Sequence, residues 1–221
     1  MIRLASRTDI PKIETIFKER FTSDKDYLNM VFTYLFPQSE CYIYQEGDKI
    51  SSTLFLIPIK YNTPHNTYNG YYLYGVATLK EEEGKGLAQK LLQYAAMEAT
   101  KKNKDFIICR PAEQSLVGYY SKLNYNIHLS KVPFKISGIV NMYLPTPQIA
   151  IQFLKGDISK CPYHFSWSDE ILEYMFNIGE IESHQKTQDL KEECYILLNT
   201  LNKNIESDIS LKDSLFLFPM E

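Results

Sequence analysis

Apolar and polar positions alternate between two rhythms along the first part of the chain, and each change of rhythm marks a new element. Ile2-Arg3-Leu4 reads as a short strand. Thr8-Asp9 then offers helix N-cap chemistry, Pro11 suits a first turn, and Ile10, Ile13, Ile16 and Phe17 keep helical spacing. A second helix is expected from about Lys25 to Phe36, ended by Pro37. Cys41–Gln45 and Lys49–Ile59 read as strands joined by the tight turn Glu46-Gly47-Asp48. A polar loop, Asn62–Asn69, leads to a strand Tyr71–Thr78. Strict alternation there puts Tyr72, Tyr74, Val76 and Thr78 on one face and Tyr71, Leu73, Gly75 and Ala77 on the other.

The clearest helix runs from Gly86 to about Lys101. Leu87, Leu91, Ala95 and Ala99 form one line at i+4 spacing, and Ala88, Leu92 and Ala96 the next, a stripe suited to packing on a sheet. Phe106–Cys109 is a short apolar run of the buried-strand kind. It is followed by a helix at about Gln114–Leu123 and a strand at Tyr125–Phe134. Beyond Lys135 the rhythm weakens. Trp167-Ser168-Asp169 caps a helix expected at Glu170–Ile178 and closed by Gly179. Glu180–Lys191 reads as a polar loop, and Cys194–Leu198 and Leu215–Phe218 as late strands. The predicted organisation is a unit over residues 1–135 with an α+β appendage, 136–221, packed on it.

Composition narrows the class. With 44% hydrophobic and 23% charged residues the chain is globular in character. A net charge of −3 without a basic stripe argues against nucleic acid as a partner. No apolar run has the length of a membrane span, and the charged N-terminus lacks the form of a signal peptide, so a cytoplasmic protein is expected. The four cysteines (Cys41, Cys109, Cys161 and Cys194) include no C-x-x-C pair and the four histidines are isolated, so no metal is expected.

The segment from Val76 to Ala88 carries candidate chemistry. A β-branched strand ends, a polar loop follows, and Gly84 and Gly86 open the long helix. Unpaired N–H groups at a helix N-terminus attract anions, and glycine lets the backbone approach a phosphate closely. A plain strand-to-helix turn would look similar. Neither a P-loop nor a three-glycine dinucleotide fingerprint is present.

Context extends this reading. The strand end Val76-Ala77-Thr78, followed by Glu83-Gly84-Lys85-Gly86-Leu87-Ala88, resembles motif A of the GNAT superfamily of N-acetyltransferases. In that family the loop reads R/Q-x-x-G-x-G/A. Tyr119-Tyr120-Ser121-Lys122-Leu123-Asn124-Tyr125 is similar to the family's F-Y-x-K-x-G-F, and together the features cover residues 2–135. The part after residue 135 resembles, more loosely, the C-terminal extension of a bacterial GNAT subgroup. Two residues depart from the pattern. Glu83, behind Glu81 and Glu82, stands where the family has Arg or Gln, and each carboxylate would repel a pyrophosphate by roughly 1 kcal/mol. Lys80, Lys85 and Lys90 are the local candidates to offset this, so weaker affinity is expected and not its loss. Asn124 replaces a glycine but tolerates the left-handed conformation.

The resemblance implies a mixed, mostly antiparallel twisted sheet flanked by helices, with acetyl-CoA as co-substrate and direct transfer of acetyl to an amine. It implies a cofactor site made of Val76, Ala77, Thr78, Glu83, Gly84, Lys85, Gly86, Leu87 and Ala88, joined by Glu113 and Tyr119, with Tyr120 as general acid. Each of these has a plainer reading: Tyr120 as a packing residue, and Glu113 as a helix cap. Tyr72 and Tyr74 either line the acceptor pocket or pack under the first helices. Glu46 is a weak candidate base beside a hairpin turn, and the terminal carboxylate after Leu215–Met220 is another group that could reach the acceptor. The acceptor, a small-molecule or peptide amine, is not readable, and a homodimer is one of the open oligomeric states. A non-catalytic acyl-CoA-binding or regulatory protein on the same fold, and an interaction module, are the competing readings.

Overall fold

The computed structural model describes residues 1–129, 151–152, 155–156, 159–183 and 196–209. Strand β1 (Ile2–Leu4) is followed by helix α1 (Ile10–Arg20) and by α2 (Lys25–Met30), whose path continues as a π-helical segment, Val31–Leu35, and a last turn, Phe36–Gln38. Next come β2 (Glu40–Glu46), β3 (Lys49–Asn62) and β4 (Thr67–Thr78), then α3 (Leu87–Lys101), β5 (Phe106–Cys109), α4 (Val117–Ser121) and β6 (Ile127–Leu129). Later residues add β7 (His164–Ser166), α5 (Asp169–Ser183), β8 (Ile196–Thr200) and α6 (Asn204–Asp208).

The eight strands of the described residues belong to one sheet, in the order β1-β2-β3-β4-β5-β8-β6, with β7 on β3 beyond the end of β2. Among the described residues only β4 and β5 pair in parallel; every other pairing there is antiparallel. The sheet is therefore mixed, mostly antiparallel and flanked by helices, as expected. The boundary drawn at residue 135 runs through this sheet: β7 and β8 come from the later segment, and β8 lies between β5 and β6. The reason is hydrogen bonding. A buried strand such as β5 needs partners along both edges, and β8 supplies the second one.

Two apolar layers sandwich the sheet. On one face Ile13, Ile16 and Phe17 of α1, Leu28 of α2 and Ile171, Leu172 and Tyr174 of α5 pack on Phe55, Ile57, Tyr72 and Phe106. On the other, Leu91, Leu92, Ala95 and Ala99 of α3 pack on Leu54, Leu56, Tyr71, Leu73 and Ile107. The predicted i+4 line of α3 is buried at every position, from Leu87 to Ala99.

Several boundaries differ for local reasons. Asp24 caps α2, accepting from the N–H groups of Asp26 and Tyr27, and helical structure runs past Pro37 to Gln38. Proline lies in the first turn of that last α-turn, where its missing N–H costs nothing. Asp9 does not cap α1. Its carboxylate turns back to accept from the N–H and hydroxyl of Ser6 and pairs through both oxygens with Arg3. The expected loop Asn62–Asn69 shrinks, because Asn62 and Thr67–Asn69 extend the two strands. Helix α5 runs through Gly179 to Ser183. The expected strand Leu215–Phe218, the terminal carboxylate and the end of the strand begun at Tyr125 lie outside the described residues.

Candidate active site

β4 is built in two halves. From Gly70 to Leu73 it is bonded to β3 on one edge and to β5 on the other, ending at Leu73 opposite Cys109. From Tyr74 to Thr78 it pairs, among the described strands, with β3 alone. Gly75 and Val76 together face the single residue Leu54, because Tyr74 pairs with Phe55 and Ala77 with Thr53. This is a β-bulge, and Gly75 sits in it at a φ of +59°. A Cβ on Gly75 would lie 2.6 Å from the tip of the Phe17 ring.

The bulge corrects the face assignment. One extra residue shifts the alternation by one, so Ala77 joins Tyr72 and Tyr74 in the layer under α1, while Val76 packs with Tyr71 and Leu73 toward α3. Beyond the bulge, the Leu79 N–H donates to the Ser51 carbonyl. The neighbouring pair Ser52–Thr78 is then of the non-hydrogen-bonded kind, with the Thr78 N–H and C=O aimed at the edge that β5 has left. The Ser52 hydroxyl ties this stretch down, donating to the Ala77 carbonyl at 2.7 Å and lying 2.8 Å from Thr78 Oγ1.

The open edge runs into the turn before α3. Lys80–Glu82 makes one 3-10 turn, and Gly84 and Gly86 follow with φ of +76° and +70°. Gly86 is the N-cap residue of α3, immediately before Leu87, and no side chain caps that end. The first N–H groups of a helix have no partner within it, so they point outward here. A Cβ at Gly84 or Gly86 would meet nothing within 4 Å, so the space beside these two Cα atoms is open. Gly84, Lys85 and Gly86 are exposed, Leu87 is buried and Ala88 is intermediate. An anionic group fits this cradle by shape and by the sign of the helix dipole.

The acidic run is held by cations. Lys49, at the start of β3, pairs with both Glu81 and Glu82; Lys85 pairs with Glu82 at 2.6 Å; and Arg20, the last residue of α1, pairs with Glu83 at 2.7 Å. Donating to Glu81 and then to Glu82 raises the Lys49 pKa, and accepting from Lys49 and then from Lys85 lowers that of Glu82. The Glu19 carboxylate also accepts from the Lys80 N–H at 2.6 Å. Of the three lysines expected to offset the glutamates, Lys85 does so, whereas Lys90 lies 5.9 Å above the Tyr44 ring. Sequence reasoning missed Lys49 and Arg20, and nothing local could have revealed them. It also missed the bulge, although a glycine inside a strand was a signal for it.

Tyr120 lies on α4 at 8% exposure, in the α3-side layer with Leu73, Leu91 and Cys109. Its ring stands edge-on to Tyr119 at 5.4 Å and to Tyr125 at 5.5 Å. Val76 packs against the same layer. Burial pushes the Tyr119 phenol up. Asn124, ending this segment, has a φ of +69°, the conformation in which it stands in for glycine. Glu113 is exposed and caps no N–H; its carboxylate accepts from the Ser115 hydroxyl at 3.0 Å. Tyr72 and Tyr74 are buried on the far face, Tyr72 edge-on to Trp167 and Tyr74 hydrogen-bonded through its hydroxyl to Tyr27. Glu46 is exposed and accepts from the Tyr44 hydroxyl. The structure thus puts Val76 and Tyr120 in one layer with α3, the helix that the glycine turn begins, and leaves Tyr72 and Tyr74 across the sheet.

A cleft of about 420 Å³ beside Asn199, Thr200 and Glu206 lies at the other end of the sheet, where Thr200 pairs with the first residue of β5. Among the described residues no cluster of His, Cys, Asp and Glu could hold a metal ion, and no helix is long and apolar enough to cross a membrane.

Comparison with known proteins places this architecture. A family model described as an acetyltransferase (GNAT) domain matches residues 1–128. No curated protein matches the chain. Among solved structures, a probable N-acyltransferase of Enterococcus faecalis superposes with a TM-score of 0.59 at 11% identity, over 79% of this chain and 47% of that one. A GCN5-related N-acetyltransferase of Kribbella flavida gives 0.58 at 11% identity, over 89% and 52%. The chain therefore spans about half the length of these two proteins. A GNAT family N-acetyltransferase of Escherichia coli (YhbS), crystallised with CoA, gives 0.57 at 9% identity over 99% of this chain and 89% of its own. At such identities the superpositions speak for the fold, and the family follows from the match over residues 1–128: this chain belongs to the GNAT acetyltransferase family.

Proposed function

We propose that the chain transfers an acetyl group from acetyl-CoA directly to an amine, with Tyr120 as general acid. The observation that carries this reading is the junction of two features: the edge of β4 beyond Leu73, which no described strand but β3 pairs, and the start of α3, which no side chain caps. In the proposed complex the N–H groups of Gly84 to Ala88 hold the pyrophosphate, and the pantetheine arm pairs with the β4 edge at Val76 and Thr78 as an added strand would. Glu113 and Tyr119 flank the same ligand. An N–H at Val76 or Ala77 polarises the thioester carbonyl.

The neutral amine attacks that carbonyl carbon, a C–N bond forms, and collapse breaks the C–S bond. The phenol of Tyr120 gives its proton to the departing thiolate, and the proton lost by the amine restores the balance through solvent. Free thiols and phenols titrate near 8.5 and 10, so this transfer is mildly uphill yet prevents the reverse attack. The acidic run was the main argument for a non-catalytic binder. Its pairing with Lys49, Lys85 and Arg20 weakens that argument.

The first test is a thermal-shift titration with acetyl-CoA on the wild type and on Gly86→Trp, followed by thiol-release assays against a panel of amines. A ligand at about 100 times its Kd stabilises by roughly 2.7 kcal/mol, so the wild type should shift and Gly86→Trp should not. No shift at millimolar acetyl-CoA would overturn the reading. Tyr120→Phe should lower kcat by about 100-fold with acetyl-CoA binding unchanged; an unaltered kcat would remove the acid role and leave the transferase reading standing.

A further inference from the structure

We propose that Lys49 and Arg20 are positioning residues for the cofactor, setting affinity for its phosphates by cancelling and anchoring the three glutamates of the turn. This rests on the acetyl-CoA reading above. Three consecutive carboxylates beside a phosphate cradle would oppose an anion, and the sequence around them holds too few cations placed to act. The structure supplies the missing two from elsewhere. Lys49 bridges Glu81 and Glu82 from the first residue of β3, and Arg20 reaches Glu83 from the last residue of α1.

The side chain of Glu82 is only 12% exposed and takes both Lys49 and Lys85, so it is a fixed hub of the turn and not a free surface group. Glu83 stands immediately before Gly84, where the backbone turns left-handed. Its bond to Arg20, together with the bond from the Lys80 N–H to Glu19, gives the turn two attachments to the end of α1. The arrangement thus does two things at once. It offsets the three negative charges of the turn with three cations, and it keeps each carboxylate engaged in an ion pair. Removing either cation leaves one carboxylate uncompensated, Glu81 without Lys49 and Glu83 without Arg20, in the turn where a doubly charged pyrophosphate would bind. At solvated separations this corresponds to about tenfold in affinity.

The test is isothermal titration of acetyl-CoA, and of S-acetylpantetheine, which lacks the phosphates, into wild type, Lys49→Met, Arg20→Gln, Lys49→Met/Glu81→Gln/Glu82→Gln and Arg20→Gln/Glu83→Gln. Melting of each unliganded variant accompanies it. The single variants should weaken acetyl-CoA about tenfold, more at low salt, and raise KM with kcat little changed. The glutamine backgrounds and Lys49→Arg should return affinity to within about twofold of wild type, and S-acetylpantetheine should bind all variants alike. The proposal falls if Lys49→Met and Arg20→Gln bind acetyl-CoA like wild type, or if glutamine fails to restore a loss that S-acetylpantetheine shares, since that pattern marks a purely structural role. A wild type that binds no acetyl-CoA overturns the functional reading itself, and this proposal with it.

Discussion

The two halves of β4 are one strand with two fates. Between Gly70 and Leu73 it is enclosed, bonded to β3 and β5 and covered by side chains on both faces. Between Tyr74 and Thr78 it has lost β5, gained a bulge and kept, among the described strands, only β3 as a partner. Both halves contain a glycine, for different reasons. Gly70 has an ordinary φ, and a Cβ there would lie 2.5 Å from the Phe106 ring. Gly75 needs both a positive φ and the room taken by Phe17. The enclosed half is therefore frame, while the other half is frame on its β3 side and candidate site on its free side. The bulge is the device that separates them.

Gly75→Ala should show the largest effect of the substitutions that probe this contrast. It combines a left-handed backbone with a methyl against buried Phe17, and should cost about 3 kcal/mol in urea denaturation. A loss below about 1 kcal/mol would mean that the bulge can relax, and the division of β4 would fail. Gly70→Ala meets only the steric part, against a ring with no exposure, and should cost about 2 kcal/mol.

Acid separates frame from turn in another way. Arg3 first, then the bonds from Ser6, hold the Asp9 carboxyl well below the usual range although burial opposes them. A folded pKa below the unfolded value means that this stability is complete above about pH 4 and is lost as pH falls further. Asp9→Asn should therefore lose about 2 kcal/mol at pH 7 and flatten the acid decline of the melting temperature. Glu82→Gln should leave that decline nearly unchanged, because its carboxylate, though also lowered, is paired with Lys49 and Lys85, whose own side chains are largely exposed. Equal flattening by both variants would place the turn in the frame. The smallest effect is expected at Gly86→Ala. With nothing within 4 Å of the new methyl, only the φ of +70° opposes it, at about 1 kcal/mol.

Much of the frame was legible in sequence because it rests on local repetition. The α3 stripe, the hairpin at Gly47 and the short apolar run Phe106–Cys109 each advertise their structure within a few residues, and all appear where expected. The glycine turn and its junction with Val76–Thr78 were legible for the same reason. The faces of Val76 and Thr78 were not, since alternation carries no mark of a bulge except the glycine that permits it. Tyr72 and Tyr74 were given two readings, and the structure buries both beneath helices that lie far from them in sequence.

What the sequence determined by itself was the set of elements and the one turn whose backbone chemistry suits an anion, because periodicity, capping and glycine act over neighbouring residues. The tertiary structure alone decided which strands are adjacent, so that β8 enters between β5 and β6. It also decided where β4 and β5 part and which cations meet the glutamates. Those outcomes depend on groups separated by tens of residues, such as Lys49 with Glu82 and Arg20 with Glu83. Their energies exist only once hydrophobic burial has closed the intervening chain and brought opposite charges within bonding distance.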